Sequence, residues 1–108
     1  MPALIEMRTY RVRSGLRARF LETFRAKTVP AHEAIGMKVI GPFLAVDDPD
    51  VFFWMRVFPD PGAREEMKSQ FYEGALWKED LEKNLFPLLD RYDVVLVEDT
   101  AGTLGGRS

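Results

Sequence analysis

The 108-residue chain contains no cysteine and one histidine, His32. The missing thiols exclude a disulfide framework, thiolate chemistry and cysteine-based zinc sites. A single imidazole excludes a multi-histidine metal centre within one chain. No apolar run approaches the roughly 20 residues that span a bilayer. The opening Met-Pro-Ala-Leu-Ile-Glu is charged by position 6, unlike a secretory leader, so a soluble cytoplasmic protein with no membrane span is the expectation. Ser14-Gly15 lacks phosphate-loop spacing. Asp47, Asp48 and Asp50 lack the length and closing Glu of an EF-hand and fit turn chemistry instead, so no metal site is expected. Chemistry is left to arginine, tyrosine, carboxylates and one imidazole.

Aromatic residues are plentiful: eight Phe, three Tyr and two Trp. Large rings fill cores, and they also anchor interfaces and line pockets. With 46% apolar and 30% charged residues the composition is that of one globular domain. The net charge of −2 conceals a division. Residues 1–38 hold eight basic and three acidic residues (+5), whereas the remainder holds seven and fourteen (−7). Three readings fit: solvated faces, a basic anion site, or complementary faces in an oligomer. Nucleic-acid binding does not fit, because the basic residues spread around a helix that also carries Glu22 and the pI is near 5.4.

Hydrophobic periodicity gives the elements. Residues 3–12 alternate as a half-buried strand. Ser14 is a candidate N-cap for a helix whose apolar stripe runs Leu16, Phe20, Phe24, Ala31 and Ile35, with Leu21 alongside. Pro30 must kink or interrupt that helix, and Gly36 ends it. Residues 37–46 predict a second strand with an irregularity at Gly41-Pro42, and Asp47–Asp50 a turn. Residues 51–58, Val-Phe-Phe-Trp-Met-Arg-Val-Phe, predict a third strand. A helix follows from Pro59-Asp60-Pro61-Gly62 to about Gln70, another spans about Ala75–Asn84, and Arg91–Asp99 is the last strand. Residues 1–100 form the domain, and 101–108 a flexible Gly-rich tail.

The order β-α-β-β-α-β makes an α+β fold, the ferredoxin-like plait: a four-stranded antiparallel sheet with helices on one face. The third strand is apolar on both parities, yet helices cover only one face. A second copy packed on the open face would complete a dimeric α+β barrel, because a soluble monomer avoids so large an apolar patch.

The segment Glu6-Met7-Arg8-Thr9-Tyr10, followed by Ser14-Gly15 and a helix, resembles the opening of the NIPSNAP family. Pro30, Gly36, Gly41-Pro42-Phe43, Trp54 and Trp77 fall where that family's pattern places similar residues, and the resemblance spans about residues 4–99. It implies a dimeric α+β barrel more firmly than a reaction. Relatives of that architecture include heme-degrading and cofactor-free monooxygenases, heme peroxidase relatives and lactone isomerases. Where the family commonly has His and Tyr flanking the strand-three Trp, this chain has Phe52 and Arg56, which puts any function of that His in doubt here.

Parity gathers the candidate site. Glu6, Arg8 and Tyr10 share one face of the first strand; Phe52, Trp54 and Arg56 share one face of the third. In this fold the two strands are central neighbours. In barrel relatives the ligand commonly sits between sheet and helices, so the polar-aromatic set is assigned there, with Ile5, Met7, Phe53, Met55 and Val57 on the dimer side; parity alone allows the reverse assignment. Glu6, Arg8, Tyr10, His32, Trp54, Arg56 and Trp77 are the candidate ligand-binding residues for a small apolar or anionic molecule. The competing reading is structural: Glu6, Arg8 and Arg56 as a buried ion-pair group, Tyr10, Trp54 and Trp77 as core rings. Tyr10 and His32 are the candidate proton carriers. His32 is alternatively a partly exposed helix residue or a single axial heme ligand, although no cofactor is expected. Three functional classes remain: a binding protein, a cofactor-light monooxygenase or isomerase, and a non-catalytic scaffold or stress-associated module.

Overall fold

The computed structural model describes residues 2–104. Four strands, β1 (Ala3–Val12), β2 (Lys38–Leu44), β3 (Val51–Phe58) and β4 (Leu89–Asp99), form one antiparallel sheet in the order β2-β3-β1-β4. Helices α1 (Arg17–Thr23) and α2 (Val29–Ile35) lie between β1 and β2, and α3 (Pro61–Tyr72) and α4 (Glu82–Asn84) between β3 and β4. This is the expected α+β ferredoxin-like plait. Among the described residues no helix is long and apolar enough to cross a membrane.

The local signals account for most element ends. Asp60 caps α3 by accepting the N–H of Ala63 at 2.8 Å, and Pro61 occupies its first turn, where a missing N–H costs nothing. Gly36 ends α2 with φ of 108°, a left-handed conformation that a side chain would strain. The Gly41-Pro42 peptide is cis, and the β2–β3 register shifts between Ile40 and Phe43. Ser14 is not the N-cap it was predicted to be: Leu16 holds that position without a side-chain cap, and Asp50 accepts the Gly15 N–H at 3.0 Å.

Pro30 does not break the helical segment. A π turn, Phe24–Thr28, joins α1 to α2, and Pro30 falls in the first turn of α2. The wider turn also changes which residues face the sheet. Positions four apart drift around an α-helix of 3.6 residues per turn, but the π turn returns them to phase. The buried stripe is therefore Phe20, Phe24, Thr28 and His32, and Ala31 and Ile35 are only half-buried.

The main core lies between the sheet and the helices, where Phe20, Phe24, Phe52, Trp54 and Phe58 are almost fully buried. Burial of each such side chain stabilises the fold by roughly 1.5–3 kcal/mol. The other sheet face carries Ile5, Met7, Phe53, Met55 and Val57, as parity predicts. The start of the Gly-rich tail folds onto one end of that face. Asp99 accepts the N–H groups of Thr103 and Leu104, and Leu104 packs against the cluster of Ala3, Ile5, Met55 and Val57. Residues 105–108 lie outside the described residues. Elsewhere on that face Phe43 and Val95 remain exposed.

Candidate functional site: a ring-lined chamber under a basic cleft

The β1–β3 register sets Glu6 opposite Arg56, Arg8 opposite Trp54, and Tyr10 opposite Phe52. The two sets that share a parity thus meet pairwise on the helix-covered face. Glu6 is fully buried and accepts from Arg8, from Arg56 Nε at 2.6 Å and from Arg64 Nε at 2.9 Å, with Lys68 Nζ at 3.9 Å. Burial raises the cost of its charge, but Arg56, Arg8 and Arg64 outweigh that cost and lower its pKa from 4.5 to about 2.

Arg56 is spent on structure. Besides Glu6, it donates to His32 Nε2 at 2.8 Å and to the Tyr72 hydroxyl at 3.0 Å. His32 Nδ1–H in turn donates to the Thr28 carbonyl at 2.8 Å, which makes the ring neutral with its Nε2 lone pair held by Arg56. Burial and then the Arg56 charge lower the His32 pKa from 6.5 to about 4. His32 is 1% exposed, so it is not the partly exposed residue of the plainer sequence reading. With both nitrogens engaged, it is offered neither to a proton in transit nor to a heme iron.

Arg8 is different. Its Nε donates to the Tyr10 hydroxyl at 3.1 Å and its Nη1 to Glu6, while its guanidinium lies 5.4–5.9 Å from the ring centroids of Trp54, Tyr10 and Tyr92. It lines two adjoining spaces. One is a chamber of about 180 Å³ between sheet and helices, walled by rings that include Tyr10, Phe24, Trp54, Phe71, Tyr72 and Trp77. The other is an open cleft carrying Arg8, Arg56, Arg64 and Lys68 against the single carboxylate of Glu6. Trp77 is half-buried in the chamber wall, edge-on to Tyr72 at 5.0 Å.

Among the described residues, two polar atoms on chamber residues have no partner: Trp54 Nε1–H and Thr28 Oγ1, on residues 2% and 7% exposed. Leaving such a group unsatisfied costs roughly 1–3 kcal/mol, a cost that a ligand oxygen would remove. Burial raises the Tyr10 pKa and keeps the phenol protonated. Its oxygen already accepts from Arg8, so its proton is free to be donated. Among the described residues no group of three or more His, Asp or Glu could hold a metal ion.

Sequence reasoning missed Arg64, Lys68 and Tyr72, although their i, i+4, i+8 spacing on α3 marks one helix face. It missed Tyr92, the β4 partner of Tyr10. It also placed the basic surplus in residues 1–38, yet three of the four cations around Glu6 come from the acidic remainder.

Fold and site together define a ferredoxin-like α+β domain with a ring-lined chamber opening on a basic cleft. The chain belongs to the NIPSNAP family, whose model matches residues 5–96. It is similar to the crystal structure of a NIPSNAP family protein from Agrobacterium tumefaciens, with 22% identity, 88% of this chain and 90% of that one covered, and a TM-score of 0.78. It is likewise similar to an uncharacterized NIPSNAP-like domain protein from Burkholderia xenovorans, with 21% identity, coverage of 88% and 83%, and a TM-score of 0.78. More distant is a candidate antibiotic biosynthesis monooxygenase from Nitrosomonas europaea, with 14% identity, coverage of 91% and 90%, and a TM-score of 0.65. At these identities the likeness is one of fold. Among the curated proteins compared, none matches.

Proposed function

We propose that the protein is a homodimer that binds a small, largely apolar molecule in the chamber between sheet and helices. The observation that carries this reading is the chamber itself. A core packed only for stability leaves few voids larger than a water, whereas this one holds about 180 Å³ beside an arginine and two orphaned polar atoms. An apolar cavity of about 150 Å³ accepts benzene, so the chamber suits one ring-sized body. Drug-sized ligands need about 300–1,000 Å³.

The dimer rests on the opposite face, where exposed Phe43 and Val95 continue the half-buried Met7 and Phe53 across the sheet. A second copy of the same face buries them symmetrically. Sedimentation at micromolar concentration checks it, and a monomer refutes it. A catalytic version of the reading gives Tyr10 the role of proton donor beside Arg8, as a cofactor-light oxygenation or isomerisation requires.

The test of the chamber is a titration with toluene and phenol followed by the indole N–H signals of Trp54 and Trp77. Saturable shifts of the Trp54 signal that disappear when Phe24→Trp fills the chamber support it. No shift up to the solubility limit refutes it.

A further inference from the structure

The chamber and the cleft differ in chemistry yet share Arg8, Arg56, Tyr72 and Tyr92. They are one continuous site with an apolar inner part and a cationic mouth. At the mouth, Glu6 is the one carboxylate in the lining among the described residues, and its oxygens are already taken by Arg8, Arg56 and Arg64. Lys68 reaches it only at 3.9 Å and makes no hydrogen bond there. Arg8 uses Nε and Nη1 within the protein, and among the described residues its Nη2 has no acceptor. Arg56, by contrast, has all three nitrogens engaged. Arg8 is therefore a cation held in place with donors to spare, and Lys68 stands at the mouth with no hydrogen bond among the described residues. Trp54 and Thr28, whose polar atoms are orphaned, line the inner chamber and not the cleft.

Resting on the reading of the chamber as a small-molecule site, we propose that its ligand is a single-ring carboxylate. The ring occupies the chamber, the carboxylate lies in the cleft between Arg8 and Lys68, and an oxygen on the inner side of the ring accepts from Trp54 Nε1–H. An anion is favoured at the mouth because the cations there outnumber the carboxylate and Arg8 is braced before it arrives. The rings around Arg8 limit water, which strengthens a charge-assisted hydrogen bond. A neutral ligand of the same shape would leave both cations without that partner.

The experiment compares benzoate, its neutral isostere benzamide, and 4-hydroxybenzoate by calorimetry and by the Trp54 indole signal. Benzoate is expected to bind about tenfold or more tightly than benzamide at low salt, and the ratio to fall as salt rises. Both Lys68→Met and Arg8→Gln should bring the ratio close to one. Lys68 is partly exposed and outside the hydrogen-bonded group, so its variant keeps the test sound if Arg8→Gln fails to fold. The Trp54 N–H signal should move further with 4-hydroxybenzoate than with benzoate. If benzamide and benzoate bind equally, or if a folded variant keeps the wild-type ratio, the carboxylate assignment falls and the chamber reading stands. If none of the three binds, and toluene and phenol do not either, the chamber reading falls and takes the assignment with it.

Discussion

His32 should make this protein lose stability in mild acid, in a pH window that no other group described here shares. Its pKa falls from 6.5 in the unfolded chain to about 4 in the fold, because burial and the Arg56 guanidinium both oppose a second proton. The folded state therefore binds fewer protons than the unfolded state between those values. Stability is complete above 6.5 and declines as the pH falls toward 4. A shift of this size makes the loss between pH 7 and pH 5 roughly 2 kcal/mol, since one pKa unit is worth about 1.4 kcal/mol. The Glu6 window lies lower, between 4.5 and about 2, so pH 5–7 isolates the imidazole. Urea unfolding of the wild type and of His32→Gln at pH 7, 6 and 5 measures the effect. Glutamine can still accept from Arg56 but does not titrate. The expected result is a wild-type midpoint that falls with acid and a variant midpoint that stays nearly flat, whatever its absolute stability. Equal slopes in the two proteins would refute the reasoning, as would an imidazole that titrates near 6.5 in the folded protein.

Glu6→Gln should cost about 3–5 kcal/mol, because it leaves Arg8, Arg56 and Arg64 facing one another without their shared counter-charge; chemical denaturation reads the loss. The carboxyl of Glu6 is itself held low, so its contribution is present above pH 4.5 and is lost as the pH falls toward 2, which an acid titration of the wild type detects. Val95→Glu places a charge on the exposed part of the open sheet face and should yield a folded monomer, with circular dichroism unchanged and sedimentation halved in mass. Added hemin should give the same Soret band with wild type and His32→Ala, since Arg56 holds the only lone pair this imidazole could offer; a band lost in the variant would overturn that geometry.

The sequence by itself determined the main elements, their order and which strand residues share a face. Those follow from local rules: alternation along β1 and β3, the Asp60 cap, and Gly36 at a helix end. Parity grouped Glu6, Arg8 and Tyr10 on one strand and Phe52, Trp54 and Arg56 on another, and the register then brought the two sets onto one face and paired them. What each residue does was decided only by the tertiary structure. The π turn at Phe24–Thr28 brought His32 into the core, and no period of 3.6 could reveal it. The α3 helix lowered Arg64 and Lys68 onto Glu6 of β1, across more than 50 residues of chain, and Tyr72 onto Arg56 of β3, which made Glu6 the shared anchor of several cations. Arg8 and Arg56 look alike as strand residues. Their neighbours in space engage every nitrogen of Arg56 and leave Arg8 Nη2 without an acceptor among the described residues, because hydrogen-bond capacity is used up by whatever the fold brings within reach.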